Sequence, residues 1–154
     1  MMLVYLDASV WGKRYVIEEG SKRVRQWFQE GPVVATSPLG LIEVMSTLVR
    51  KERAGELEME AMETSLDAAE EDFERFASVP LSGGVTNNAR FLSRRYGLRG
   101  ADTLHLAAVR WIVNRPSFAD DPIGLATSDR ELAEAAEQAG LAVFDPTREA
   151  LPDP

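Results

Sequence analysis

Four acidic residues stand where a strand or helix of this 154-residue chain is expected to begin or end. Asp7 follows the apolar run MLVYL, Asp129 follows IGLATS, Asp102 opens the apolar helix of LRGADTLHLAAV, and Glu43 borders an apolar helical stripe. Each acid has a simple structural explanation, because carboxylates cap helices and stabilise their first turns by roughly 0.3–1 kcal/mol. For Glu43 that explanation is an ion pair with Arg50 or Arg53. Taken together, the four acids predict one acidic pocket.

The chemistry of such a pocket follows from its charge. Carboxylates a few ångströms apart repel one another unless a cation lies among them. The chain has no cysteine, and oxygen ligands without cysteine or histidine favour Mg²⁺ or Mn²⁺. Such an ion makes a bound water more acidic and stabilises negative charge developing on phosphorus. The acids therefore predict metal-dependent hydrolysis of a phosphodiester.

Alternating strands and helices must position these acids. The expected strands cover 2–6, 33–37, 77–81, 123–128 and 141–146, and the expected helices cover 9–19, 21–30, 38–53, 56–76, 85–97, about 100–114 and 129–140. This alternation indicates an α/β fold, with a central parallel sheet and helices on both faces. Ligands of such sheets bind beyond the carboxyl ends of the strands, where Asp7 and Asp129 stand.

Composition indicates one domain over residues 1–147 and a frayed C-terminal tail over 148–154. No signal-like N-terminus and no apolar run of roughly 18 residues is found, so we expect a soluble, cytoplasmic protein without a membrane span. The net charge of −8 arises within residues 52–75, which hold ten acids and two arginines. This segment predicts either a solvated helix face or a docking surface for a basic partner.

The four acids lie in motifs that resemble those of a known family. LVYLDAS, LIEV, LRGADTLHLAAV and LATSDREL, in this order and spacing, resemble the PIN-domain ribonucleases, most closely the VapC-type toxins of toxin–antitoxin pairs. The resemblance covers residues 3 to about 146. It implies a single PIN-like domain with strand order 3-2-1-4-5 that cleaves single-stranded RNA. It also implies a small antitoxin as partner and a homodimer, whose interface we place on the helix pair between residues 38 and 76.

The resemblance also implies roles for individual residues. Asp7 and Asp102 match the family's principal metal-binding acids, for Mg²⁺ or Mn²⁺. Glu43 and Asp129 match its two other acidic positions, which complete the site through the metal or through water. Two hydroxyls, those of Ser9 and Thr127, match positions where the family often has a hydroxyl near the site. The chain differs from the family in the proline and glycine of SPLGL, directly before Glu43.

Other residue types could act in the same pocket. His105 is the only histidine, and we expect it to pack or to form hydrogen bonds rather than to act as a base. Trp11 follows Asp7 by one helical turn and is the best candidate for stacking on a base, although burial in the core is the stronger expectation. Four arginines could form a solvated face or bind a phosphate backbone: Arg90, Arg94, Arg95 and Arg99.

Two other functions fit a small α/β protein. A receiver-like phosphoacceptor domain would need an acidic pair after the first strand and a lysine late in the chain, but no lysine follows Lys51. A binding module without chemistry would use the acidic segment to dock a basic partner.

Overall fold

A five-stranded, all-parallel sheet forms the centre of the computed structural model, which describes residues 2–118 and 120–153. The strands are β1 (Leu3–Leu6), β2 (Val33–Thr36), β3 (Ala77–Ser78), β4 (Ile123–Ala126) and β5 (Ala142–Phe144). The helices are α1 (Ala8–Trp11), α2 (Ser21–Gln29), α3 (Pro38–Arg53), α4 (Met59–Arg75), α5 (Gly83–Tyr96), α6 (Gly100–Val113) and α7 (Arg130–Gln138). The strand order, β3-β2-β1-β4-β5, is the one that the family resemblance implies.

Strand β1 lies between β2 and β4, and all four of its residues are buried. Leu3 aligns with Val33 of β2 and with Ile123 of β4, and Leu6 aligns with Ala126. From β1 the chain continues to β2 on one side of it, and from β4 it continues to β5 on the opposite side. The direction in which strands are added therefore switches between β1 and β4. This is the point at which ligands of open parallel sheets bind.

The side chains of β1 alternate between two apolar layers, as the pleat of a strand requires. Leu3 and Tyr5 face α5, α6 and α7, whereas Val4 and Leu6 face the layer built by α1 to α4. The prediction of helices on both faces of the sheet is therefore confirmed.

Two predicted elements are shorter in the structure. The helix expected over 9–19 ends at Trp11, continues as a 3₁₀ turn over 12–14 and reverses at Gly20, which has φ of 86°. Strand β3 contains two residues instead of the five expected over 77–81. Pro80 has no backbone N–H, so the pairing ends just after the Val79 N–H, which donates to Thr36 O at 2.8 Å.

The acidic helix α4 is largely a solvated face, although one of its carboxylates is buried. Asp72 is 5% exposed. It accepts a hydrogen bond from the Tyr15 hydroxyl at 2.6 Å and forms an ion pair with Arg14, whose Nε lies 2.6 Å from its Oδ2. A buried carboxylate is costly unless it is paired, and these two contacts supply the pairing. They also join α4 to the segment that follows α1.

The expectation of a frayed tail over 148–154 is wrong for Leu151 and Pro152. Leu151 is 7% exposed and belongs to the apolar layer of α1 to α4. Pro152 O accepts a hydrogen bond from Nε1 of the buried Trp27 at 2.8 Å. Burial of the leucine and pairing of the indole N–H offset the entropy lost by ordering the chain end. The boundary at residue 147 stays a prediction.

In the described ranges, no helix is long and apolar enough to cross a membrane.

Candidate active site

The four predicted acids line one cleft at the carboxyl end of the sheet. Its volume is about 390 Å³, and its walls include Asp7, Glu43, Asp102 and Asp129. The acids come from the end of β1, from α3, from the first turn of α6 and from the start of α7. The structure thus brings together all four residues that the sequence singled out, and their chemical roles stay predictions.

Asp7 lies at the bottom of this cleft and is 4% exposed. Its Oδ1 accepts hydrogen bonds from the Val10 N–H at 3.2 Å and the Ser9 hydroxyl at 2.7 Å, and its Oδ2 accepts one from the Thr127 hydroxyl at 2.5 Å. Burial raises the pKa of Asp7, while His105 and these hydrogen bonds oppose that rise. Asp7 therefore caps α1 and also presents a fixed, poorly solvated carboxylate to the cleft.

The two hydroxyls predicted to lie near the site connect β1 to β4. The Ser128 N–H donates to Ser9 Oγ at 2.9 Å, and the Asp129 N–H donates to Thr127 Oγ1 at 3.0 Å. Since both hydroxyls also donate to Asp7, they orient its two carboxylate oxygens and hold the start of α7 close to the end of β1. Their placement agrees with the prediction.

Asp102 and Asp129 are bridged by Arg99. The guanidinium donates from Nε to Asp102 Oδ2 at 3.3 Å and from Nη2 to Asp129 Oδ2 at 3.0 Å. Burial raises the pKa of Asp102, as does the charge of Asp129, while Arg99 opposes the rise. Asp129 Oδ1 also accepts from the Leu132 N–H at 2.9 Å and so caps α7.

Arg99 was expected only as one of four arginines that could bind phosphate, and its ion pairs with Asp102 and Asp129 were not predicted. The signal was available in the spacing. Arg99 and Asp102 stand three residues apart at a helix start, where side chains lie close enough to pair.

Glu43 is held by a buried relay rather than by an arginine of its own helix. Its Oε1 lies 2.5 Å from His105 Nε2, and His105 Nδ1 lies 2.9 Å from the Tyr5 hydroxyl. Burial raises the pKa of Tyr5, so the phenol keeps its proton and can donate to Nδ1. With Tyr5 as the donor to Nδ1, the imidazole N–H that faces Glu43 is on Nε2. The hydrogen-bonding role expected of His105 is confirmed, whereas Arg50 donates to Thr47 and not to Glu43.

Gly40 explains the unusual helix start SPLGL. A Cβ at this position would lie 2.5 Å from Thr36 Oγ1 and 3.8 Å from His105 Cε1. Thr36 is fully buried, and its hydroxyl donates to Leu6 O at 3.0 Å. The glycine therefore allows the first turn of α3 to approach the end of β2, which brings Glu43 within reach of His105 on the other layer.

The chemistry of the donor set fits a hard divalent cation. Asp7, Ser9, Glu43, Asp102 and Asp129 offer oxygen atoms only. A cation would also offset the cost of charging the buried carboxylates of Asp7 and Asp102, whose pKa values are raised. Among the residues that the structure describes, no three His, Asp or Glu side chains are grouped closely enough to hold one ion. The cation between Asp102 and Asp129 is the guanidinium of Arg99.

Trp11 does not face the cleft. It is fully buried, with its ring stacked on Phe73 and edge-on to Phe76, and its Nε1 donates to the Tyr15 hydroxyl at 2.8 Å. The interpretation of Trp11 as a base-stacking residue is therefore wrong, and core burial, the stronger expectation, is confirmed.

The fold is that of a PIN domain. The PIN domain family model matches residues 4–138, and the chain belongs to this family. Among its relatives, Ribonuclease VapC45 of Mycobacterium tuberculosis is 33% identical over 147 residues, which are 93% of this chain and 95% of the relative.

Solved structures agree on the fold. The crystal structure of Mycobacterium tuberculosis VapC20, described as a sarcin-ricin loop cleaving toxin, has a TM-score of 0.63 at 17% identity and covers 90% of this chain and 96% of its own. A toxin–antitoxin complex from Klebsiella pneumoniae has a TM-score of 0.61 at 15% identity and covers 96% of this chain and 99% of its own.

Proposed function

We propose that this PIN domain is a metal-dependent endoribonuclease that acts as the toxin of a toxin–antitoxin pair in the cytoplasm. The observation that carries the proposal is the convergence of Asp7, Glu43, Asp102 and Asp129 on one cleft at the switch point of the sheet. The 33% identity to a protein named Ribonuclease VapC45, over nearly the whole of both chains, supports the same chemistry.

The chain prepares this cleft by fixing the carboxylates of Asp7 and Glu43. Ser9 and Thr127 orient the two oxygens of Asp7, and His105 orients Glu43. Asp7 and Asp102 would hold the Mg²⁺ or Mn²⁺ ion, with Glu43 and Asp129 adding negative charge around it. When bound, the ion supplies a more acidic water and positive charge beside the phosphate.

Arg99 has a second part in this proposal. Its side chain is 74% exposed, so it can leave Asp102 and Asp129 at little cost. A guanidinium donates two parallel hydrogen bonds to a phosphate as readily as to a carboxylate. We therefore assign Arg99 to binding of the RNA phosphate at the mouth of the cleft.

The proposal is tested by RNA cleavage in Mn²⁺ with the variants Asp7→Asn and Asp102→Asn. Each variant removes one charge from the cleft and should lower the cleavage rate by at least about 100-fold, the scale on which loss of one electrostatic group acts. Asp121→Asn removes an exposed charge from the loop before β4 and is the matched control. Cleavage by both cleft variants at the wild-type rate would show that the site is assigned wrongly.

A small antitoxin protein is the proposed partner. The support is the fold shared with the toxin–antitoxin complex from Klebsiella pneumoniae. We expect a short open reading frame next to the gene, whose product binds this chain and abolishes cleavage. A product that neither co-purifies with the chain nor inhibits it would contradict this part of the proposal.

The chain is also proposed to form a homodimer through the helix pair α3 and α4. Two large apolar side chains on these helices are more than half exposed, Ile42 at 60% and Met59 at 61%. Light scattering should give twice the chain mass for the wild type and a lower mass for Ile42→Asp. A wild-type mass equal to that of one chain at working concentration would refute the dimer.

A further inference from the structure

One segment of this acidic protein carries basic residues without any acidic residue among them. Residues 77–101 contain four arginines and no acidic residue, although the chain as a whole has a net charge of −8. Three of these arginines lie on α5, namely Arg90, Arg94 and Arg95, and the fourth is Arg99 of the cleft. The acidic residues of 52–75 lie on the other face of the sheet, on α3, α4 and their connection.

One side of α5 presents these charges together with an aromatic ring. The three arginines and Phe91 are exposed, with Phe91 at 59%, whereas Val85, Ala89 and Leu92 on the opposite side are buried against the core. Arg90 and Arg94 are four residues apart, as are Phe91 and Arg95, so each pair lies side by side on the helix surface. We call this group the α5 basic face.

The α5 basic face has no counter-charge within the protein. In residues 2–118 and 120–153, no carboxylate forms an ion pair with Arg90, Arg94 or Arg95. An exposed phenylalanine among unpaired arginines combines an apolar ring with positive charges that are free to bind an anion. The combination fits a ligand that offers both flat rings and negative charges.

The basic face leads to the acidic cleft. Only Gly97, Leu98 and Arg99 separate α5 from α6, so the C-terminal end of α5 lies beside the first turn of α6, which holds Asp102. From Arg90 to Tyr96 the helix rises about 9 Å. The arginines therefore extend from the mouth of the cleft, at Arg99, outward along the protein surface.

We propose that the α5 basic face binds the single-stranded RNA that flanks the cleaved bond. Arg90, Arg94 and Arg95 bind backbone phosphates, and Phe91 stacks on a base. Phosphate binding by arginine and base stacking on exposed aromatic rings are the two contacts by which proteins hold single strands without reading their sequence. This inference rests on the proposed ribonuclease function, because it names where that substrate lies outside the cleft.

The test measures binding of a fluorescent 20-nucleotide oligouridylate to the full chain in EDTA, with intact RNA verified afterwards on a gel. In the triple variant Arg90→Ala/Arg94→Ala/Arg95→Ala, the slope of log K against log salt should become less steep by about 2, since each phosphate contact contributes roughly 0.7. Phe91→Ala should weaken binding by about five-fold or more, and Phe91→Trp should restore it. Matched controls are Arg53→Ala, an exposed arginine of the acidic region, and Ile17→Ala, an exposed apolar residue.

Cleavage of the same RNA in Mn²⁺ separates this inference from the proposed function. The α5 variants should raise KM with kcat unchanged, because the face does not touch the reacting phosphate. If wild type and the triple variant bind the RNA with equal affinity and equal salt slope, the inference is overturned, even if both cleave RNA. If the variants lose binding while the wild type cleaves no RNA, the face is an RNA site and the nuclease proposal fails.

Two further results would also overturn the inference. A wild-type chain that does not bind the oligouridylate has no such site. A lower mass of the triple variant in light scattering, with RNA binding unchanged, would assign the face to a second copy of the chain, whose acidic helix α4 carries the opposite charge.

Discussion

Replacement of Gly40 by alanine should disturb the active site through one short contact. The added Cβ would lie 2.5 Å from Thr36 Oγ1, about 0.9 Å closer than an ordinary contact. The threonine cannot turn away without loss, because it is fully buried and donates to Leu6 O. Overpacking of this kind costs about 1–3 kcal/mol, and the better helix propensity of alanine returns about 1 kcal/mol. We expect Gly40→Ala to lower the free energy of unfolding by up to about 2 kcal/mol.

The sign of this effect should reverse once the threonine hydroxyl is removed. In a Thr36→Ala background, the nearest atoms to the new Cβ are 3.8 Å away, which is an ordinary contact. There Gly40→Ala should raise the free energy of unfolding by up to about 1 kcal/mol. The two substitutions are thus coupled by about 2 kcal/mol, far above the deviation from additivity of about 0.5 kcal/mol that independent sites show.

Urea unfolding of the wild type, both single variants and the double variant measures this coupling. Gly83→Ala is the control, because a Cβ at this first residue of α5 would have nothing within 4 Å. RNA cleavage should follow the same pattern, reduced in Gly40→Ala and restored in the double variant, since the shift of α3 moves Glu43 away from His105. Additive free energies in the four proteins would refute the close approach of α3 to β2 as the reason for this glycine.

Three further predictions concern the buried groups. Burial raises the pKa of Asp7 in the folded protein above that of the unfolded chain. The folded carboxyl therefore binds a proton more tightly. Its contribution to stability is fully present below the unfolded pKa and is lost as the pH rises through the folded pKa. In EDTA, Asp7→Asn should therefore unfold at a higher temperature than the wild type at pH 7 and at a similar temperature at pH 4. An unfolding temperature of Asp7→Asn below that of the wild type at pH 7 would contradict this prediction. Tyr5→Phe leaves His105 Nδ1 without its donor, so it should lower the free energy of unfolding in urea by about 1–3 kcal/mol and slow RNA cleavage. The control Tyr96→Phe changes a tyrosine outside this hydrogen-bond chain and should have neither effect. Leu151→Ala should cost about 2 kcal/mol or more in the same assay, and a change under 0.5 kcal/mol would show that the chain end does not pack.

The sequence was sufficient for the sheet and for the acids at its edge. A continuous apolar run predicts a buried parallel strand, and an acid directly after it predicts a carboxylate at the carboxyl end of that strand. Strand β1, followed by Asp7, agrees with both predictions. The strand order could be stated only through the family resemblance, because local patterns do not show which strands are neighbours. Strand β3 is short because Pro80 has no N–H to donate to β2. The sequence alone does not show that β2 is the strand with which this segment pairs.

The contacts around the acids were harder to predict because they join distant parts of the chain. Glu43 and His105 are 62 residues apart in sequence and come from helices on opposite faces of the sheet. The helical pattern of α3 offers Arg50 as a partner of Glu43, and only the three-dimensional arrangement replaces it with His105. The docking of Leu151 is similar, since nothing local in the chain end indicates the pocket beside Trp27.

We propose that Asp7 and Asp102 share one divalent ion, and anomalous diffraction from a crystal soaked in Mn²⁺ can locate that ion. We predict an anomalous difference peak within bonding distance of a carboxylate oxygen of each residue, with Arg99 displaced from Asp102. A crystal of Asp102→Asn treated in the same way should show a weaker peak or none. A wild-type crystal without a peak between residues 7 and 102, at Mn²⁺ concentrations that support RNA cleavage, would contradict the account.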